Sequence, residues 1–280
     1  MRLGVDLGGT KIEIAVLDEQ GRAAVKRRTA TPHGAYEQAL DTLAGLIVEA
    51  EREAGARCTI GIGMPGALSP KSGLVMNAYN TPFNGRPLRR DLEARLAREL
   101  RFANDANCFA LSEAADGAAR GARVVFGAIL GTGAGGGIVV DGRILEGRNA
   151  IGGEWGHNPL PWMTREEHPG PACYCGHAGC IEQFVAGPAL ARDQAELGEE
   201  EAMARYWDRL ARALSHVVNL LDPDVIVIGG GLSSLERLYA SVPRLLPRYV
   251  YSNDVDTPVV RAAHGDASGV RGAAMLWDRG

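Results

Sequence analysis

No stretch of this sequence approaches the ~18 consecutive apolar residues that a membrane-spanning helix needs. The opening MRLGVDLGGT has a strand pattern where a secretory leader would carry cationic and then long apolar residues, so a cytoplasmic protein without a membrane partner is expected. Positive charge is also in short supply: the formal net charge is -4, and the basic runs Lys26-Arg27-Arg28 and Arg86 to Arg90 are brief. A non-specific grip on a phosphate backbone needs clustered Lys and Arg, so these runs read as solvated faces and nucleic acid is not an expected partner. Cysteine is scarce, with five in the chain. In a reducing compartment such thiols stay free or bind metal, and Cys173 and Cys175 are too close in sequence to bridge each other comfortably. Low-complexity segments are absent.

What remains, 46% apolar and 23% charged residues, is the balance of an ordinary globular protein. A chain of 280 residues accommodates one large domain or two lobes of about 140, each with its own core and with a cleft between them. RLGVDLGG and KIEIAVLD read as two short strands around a Gly-Gly-Thr turn, and residues 35–55 carry apolar side chains at helical spacing. Further helices are expected near 86–100, from Asn104-Asp105 to about Gly121, and over 187–197, 199–221, 233–248 and 267–277. Strands are expected at CTIGIGMPG, VIVIGGG and 258–262. Laid over residues 3–22, VVFGAILGTGAGGGIVVDGRI gives a weak internal repeat, with Leu7-Gly8-Gly9-Thr10 against Leu130-Gly131-Thr132-Gly133. The repeat implies two lobes built on one plan. Residues 143–182 have little periodicity and many Gly, Pro and Cys, as a long functional loop region would.

Three glycine-rich turns follow apolar strands, at 8–9, 131–137 and 229–231. GTGAGG matches the dinucleotide fingerprint, but that fingerprint needs a helix directly after the glycines and IVVDGR reads as a strand. DLGGTK lacks the four-residue spacer of a Walker A loop. Glycine lets backbone N–H groups approach an anion, and three such turns in two repeat-related lobes favour a nucleotide over coincidence. Asp6 is placed to hold Mg2+ through water and Lys11 to meet a phosphate; an exposed strand lysine accounts for Lys11 equally well.

CYCGHAGC places three of the five cysteines within residues 173–180. That spacing points to a structural zinc, the alternative being small buried cysteines in a loop. His157 alone reads as a turn residue before Asn-Pro, and His177 as exposed. Asn104-Asp105 at a helix start is ordinary N-capping on sequence grounds. Glu113 and Asp116 read as a solvated face, Cys108 as packing, and Asp266 as a cap for the last helix.

Taken together, DLGGTK (6–11), GMPG (63–66), ANDANC (103–108), GTGAGGG (131–137), GGEWGH (152–157), CYCGHAGCIE (173–182) and VIVIGGG (225–231) resemble the ROK family of sugar kinases and repressors. HNPLPWM (157–163) and HGDASGVRGAA (264–274) are similar to its fructokinase or manno(fructo)kinase branch. The resemblance implies an α/β, two-lobed actin-like ATPase fold with a central cleft where ATP and sugar meet, residues 1–118 plus 265–280 forming one lobe and 119–264 the other. It places Asp6, Gly8, Gly9, Thr10, Lys11, Gly131, Thr132 and Gly133 around the ATP phosphates, and Gly229, Gly230 and Gly231 beside the adenosine. It puts a structural zinc on His157, Cys173, Cys175 and Cys180, stiffening a loop whose Glu154, His157 and Glu182 bind sugar hydroxyls. Asn104, and with it Asn80, would bind other hydroxyls. Asp105 becomes the general base for phosphorylation of a hexose 6-hydroxyl, fructose first and mannose second, with Mg2+ and ATP. Glucose and N-acetylhexosamines are the alternative sugars. A sugar-sensing regulator is the rival of another class, disfavoured because nothing resembling a helix-turn-helix precedes the kinase-like part. The family also suggests a homodimer.

Overall fold

The computed structural model describes residues 1–32, 35–79, 81–252 and 254–278, so Asn80 lies outside the described residues. Contacts divide the chain into two units, Met1–Ser112 with Arg143–Gly152 and the segment from Ala267 onward, and Glu113–Gly142 with Gly153–Asp266. Relative to the boundaries expected from sequence, residues 143–152 lie in the first unit rather than the second, and the division falls after Ser112 rather than near residue 118.

In the first unit, β1 (Arg2–Leu7), β2 (Lys11–Leu17) and β3 (Ala23–Ala30) form an antiparallel meander. Helix α1 (Tyr36–Ala54) follows, burying Leu40, Leu43, Ile47 and Ala50 along one stripe and ending at Gly55, whose positive φ closes the helix. Strand β4 (Thr59–Met64) pairs in parallel with β1, the short pair β5 (Ala67–Leu68) and β6 (Val75–Met76) comes next, then α2 (Leu88–Leu96). Strand β7 (Arg101–Asn104), parallel to β4, completes the order β3-β2-β1-β4-β7 and runs directly into α3 (Asp105–Asp116). The basic run on β3 lies on a sheet edge, where Arg27 meets Glu53 at 2.7 Å and Arg28 meets Glu13 at 3.2 Å; charge of this kind blunts an edge strand.

The C-terminal helix Ser268–Ala274 packs onto this sheet through two glycines. A Cβ on Gly4 would lie 1.9 Å from the Val270 carbonyl oxygen, and one on Gly61 would lie 1.8 Å from that of Ala273. Any side chain there would push the helix off the strands. Gly272 does the same toward α3, where its Cβ would meet the Cys108 carbonyl oxygen at 1.7 Å. Ala267, at the cap position, makes no side-chain cap, so Asp266 does not cap this helix as the sequence suggested; a 3-10 turn, Gly265–Ala267, leads into it instead.

The second unit repeats the first. Strands β8 (Val124–Leu130) and β9 (Ala134–Val140) form an antiparallel hairpin, β8 is parallel to strand Val225–Gly229, and that strand is parallel to Val259–Arg261. This matches β2-β1-β4-β7 in order and direction. Helix Glu199–Leu221 buries Tyr206, Leu210, Leu214 and Val217 in the core. It also carries Arg209 and Arg212, whose guanidinium groups lie 2.8 and 2.7 Å from Glu167 in the loop region. Burial raises the Glu167 carboxyl, but the Arg212 and Arg209 hydrogen bonds outweigh it and hold the group down to about 2. Glu113 is fully buried, not solvated: its carboxylate accepts N–H groups of Ala118, Ala263 and His264, while Asp116 pairs with His264 at 2.8 Å. Among the described residues no helix is long and apolar enough to cross a membrane.

Candidate functional site

The β7–α3 junction separates two roles that the sequence could not. Asn104 Oδ1 accepts the N–H groups of Ala106 at 2.9 Å and Asn107 at 3.3 Å, so Asn104 is the residue that caps α3. Its Nδ2 donates to the Gly66 carbonyl at 3.1 Å, tying the cap to the GMPG turn and leaving a second amide hydrogen. Asp105, half-buried at the first helical position, accepts the Ala106 N–H at 2.8 Å but is not needed as the cap. One turn on, Cys108 is fully buried and packs with Ala103 and Ala273. Burial first, then the carboxylates of Asp6 and Asp105, push its thiol well up.

Asp6 is the last residue but one of β1 and sits opposite Glu13, its register partner on β2. Burial, then the charge of Glu13, pushes Asp6 up to about 6, and Lys11 opposes them only in part. A carboxylate short of positive charge fits a divalent cation. Lys11 is already paired with Glu13, Nζ to Oε1 3.1 Å. The turn between them is closed by the Gly8 N–H on the Lys11 carbonyl at 2.9 Å and the Thr31 hydroxyl on the Gly8 carbonyl at 2.6 Å; Gly9 and the exposed Thr10 form its tip.

In the second unit the corresponding turn, Gly131 to Gly133, adjoins the turn Gly229 to Gly231: a Cβ on Gly131 would lie 4.0 Å from the Gly231 nitrogen. Two of the three glycine turns therefore meet. Thr132 is exposed at the tip. Several glycines of GTGAGGG have packing reasons of their own. A Cβ on Gly133 would lie 2.6 Å from Glu182 Oε2, and one on Gly136 would lie 2.5 Å from the Trp155 ring. Trp155 in turn donates to the Gly135 carbonyl at 2.9 Å and packs edge-on against Phe126. Glu182 Oε2 accepts the Ala134 N–H at 3.0 Å, bracing the hairpin. Burial is the main cause that raises the Glu154 carboxyl; His157 opposes the shift and Glu182 adds to it, so these three side chains share one neighbourhood.

His157, Cys173, Cys175 and Cys180 bring their ligand atoms to within 4.8 Å of one another. The Cys173 Sγ to His157 Nδ1 distance is 3.6 Å and Cys175 Sγ to Cys180 Sγ is 3.5 Å. A tetrahedron with zinc–ligand bonds of about 2.0–2.3 Å has edges of roughly 3.3–3.8 Å, so the set fits a structural zinc. All five cysteines are free thiols. Burial, with the thiols of Cys175 and Cys173, pushes Cys180 up to about 12, so a bound metal must displace protons from the cluster. His177 is exposed and outside the set. With Nδ1 toward the thiols, His157 Nε2 is the atom left for other partners, and the Tyr174 hydroxyl holds it at 3.0 Å. Tyr174 went unnoticed in the sequence because nothing in its spacing distinguishes it from loop filler. The Ile181 N–H on the Asn158 carbonyl at 2.8 Å and the Leu160 N–H on the Gly179 carbonyl at 2.9 Å fasten the loop across its width.

Two α/β units with one strand order, each opening on a glycine-turn hairpin, make up the actin-like ATPase fold of sugar kinases. The ROK family model matches residues 2–279, and the chain belongs to that family. It is 39% identical to an N-acetyl-D-glucosamine kinase of Photobacterium profundum and 40% to one of Salmonella typhimurium, in each case over 99% of both chains. Among solved structures, it resembles a ROK hexokinase from Thermus thermophilus at 34% identity and a TM-score of 0.84, covering 98% of this chain and 96% of that one. A ROK glucokinase from Streptomyces griseus in complex with glucose and AMPPNP is similar at 28% identity and a TM-score of 0.81, covering 100% and 99%.

Proposed function

We propose that this chain transfers the γ-phosphoryl group of ATP to the 6-hydroxyl of N-acetylglucosamine, with Asp105 as general base. The observation that carries the chemistry is the β7–α3 junction: Asn104 caps the helix through the Ala106 and Asn107 N–H groups and the half-buried Asp105 carboxylate stands next to it at the first helical position. The relatives support the N-acetylhexosamine alternative better than fructose, the sugar expected from HNPLPWM.

In this reading Asp105 takes the hydroxyl proton as the oxygen attacks phosphorus, since a neutral sugar hydroxyl is a poor nucleophile. Asn104 offers its remaining amide hydrogen to a neighbouring hydroxyl. Glu154 and Glu182 accept hydrogen bonds from other hydroxyls, and His157 donates from Nε2 once Tyr174 gives way. Backbone N–H groups of the turns at Gly8 to Thr10 and Gly131 to Gly133 hold phosphate oxygens, with Lys11 near them and Gly229 to Gly231 by the adenosine. A Mg2+ held through Asp6 would neutralise charge on the phosphates, and zinc on the cysteine cluster would stiffen the sugar-binding loop. A coupled assay of N-acetylglucosamine, N-acetylmannosamine, glucose, mannose and fructose with ATP tests the reading. The highest kcat/KM is expected for N-acetylglucosamine; a higher value for fructose overturns the choice of sugar, and no turnover of any sugar overturns the kinase.

A further inference from the structure

The first unit contains a cavity of about 430 Å³, none of whose lining residues is among those assigned above to ATP. Its walls include Ser69, Arg89, Phe102, Asn104, Glu146 and Arg148. Arg89 and Arg148 are exposed, and among the described residues neither has a carboxylate within 4.0 Å. Arg89 is held in orientation, its guanidinium lying 5.5 Å from the centre of the Phe102 ring. Two unneutralised guanidinium groups against one carboxylate, Glu146, leave the cavity net positive, and a concave wall focuses that potential on a small anion.

We infer that this cavity binds a phosphorylated hexose. An uncharged sugar gives the two arginines nothing to neutralise, whereas a phosphomonoester offers three oxygens to their planar donors. Ser69 and Glu146 supply hydroxyl partners for the sugar part, and a space of this size suits a sugar phosphate. Asn104 is both a wall of the cavity and the cap of α3, so an occupant is felt at the helix start that carries Asp105. Product feedback on phosphoryl transfer follows. The binding stands on the cavity alone; the identification of the ligand with the product rests on the kinase reading above.

Calorimetric titration of the full chain without ATP separates the two. The probes are N-acetylglucosamine 6-phosphate, glucose 6-phosphate and inorganic phosphate, on the wild type, Arg89→Ala and Arg148→Ala. Both arginines are exposed, so the thermal midpoint should be unchanged in Arg148→Ala and lowered only slightly in Arg89→Ala, which loses its contact with Phe102. A hexose 6-phosphate should bind the wild type, and each substitution should weaken it about 10- to 100-fold, as for a lost charged hydrogen bond. Inorganic phosphate should bind at least about tenfold more weakly than the sugar phosphate, for want of the hydroxyl contacts. Absence of hexose phosphate binding, equal affinity in all three proteins, or inorganic phosphate binding as tightly as the sugar phosphate each overturns the proposal. In the kinase assay, added product should slow the wild type more than Arg148→Ala. If no sugar is phosphorylated, the titration still decides the binding.

Discussion

The hairpins β1–β2 and β8–β9 share one backbone and differ in where their charge comes from. Each closes on a three-residue turn, residues 8–10 in the first and 131–133 in the second. The first turn is flanked by its own ions, Asp6 before and Lys11 after; the second has Ile129 and Ala134 at those places. Its carboxylate arrives instead from Glu182, directly after the cysteine loop, and braces the Ala134 N–H. The fold thus fixes the turn, while flanking residues decide whether charge is local or imported. Damage to the cysteine cluster should therefore be felt at the second hairpin and not the first.

The largest effect that sharpens this contrast concerns Asp6. Folding raises its pKa from 3.8 to about 6, so the folded state holds the extra proton between those values. Stability consequently falls as pH rises through that window; the penalty is absent below about pH 4 and complete above about pH 6, at up to ~3 kcal/mol. Asp6→Asn should be more stable than the wild type by up to that amount at pH 7.5 without Mg2+, and the gap should close below pH 4 in urea titrations. Mg2+ with ATP should stabilise the wild type more than the variant.

Next comes the imported charge. Cys175→Ser should lose zinc by elemental analysis and raise the sugar KM about 10- to 100-fold, the usual cost of loosening a metal's surroundings. The KM for ATP should rise less, because of the two turns assigned to the phosphates only Gly131 to Gly133 is braced by Glu182, while the first hairpin keeps its own ions. Equal changes in both would erase the contrast between the hairpins. A smaller effect is expected at Tyr174, whose hydroxyl occupies His157 Nε2. If sugar displaces it, Tyr174→Phe should lower the sugar KM by an amount worth about 0.5–1.5 kcal/mol, whereas an unchanged or raised KM would make the phenol a support for the ring. Smallest is the stability change in Lys11→Met: its partly exposed pair with Glu13 should contribute about 0.2–1 kcal/mol.

The repeat was legible because Leu-Gly-Gly-Thr and Leu-Gly-Thr-Gly mark the same turn after the same kind of strand, and the long helices showed through their apolar spacing. Strand β7 was not legible, since RFAN is four residues long and merges into the helix pattern that follows. Gly4 and Gly61 looked like ordinary strand residues; only the close approach of the C-terminal helix explains them. Glu113 read as solvent-facing because its partners, the N–H groups of Ala263 and His264, lie 150 residues away. The cysteine cluster was legible from spacing, but His157's second partner was not. Nor could the sequence say which of Asn104 and Asp105 is the cap, as both residue types favour that position.

That last distinction is also the most direct test of the account. Asn104→Ala and Asp105→Asn, each measured for kcat and for urea unfolding beside the wild type, divide the two roles. Loss of the cap should cost Asn104→Ala about 0.5–2 kcal/mol of stability. Asp105→Asn should unfold like the wild type yet lose about 10²- to 10⁴-fold in kcat, because the hydroxyl proton has no acceptor. An Asp105→Asn protein that keeps more than about a tenth of wild-type kcat, well outside that range, would contradict the assignment of Asp105 as the base.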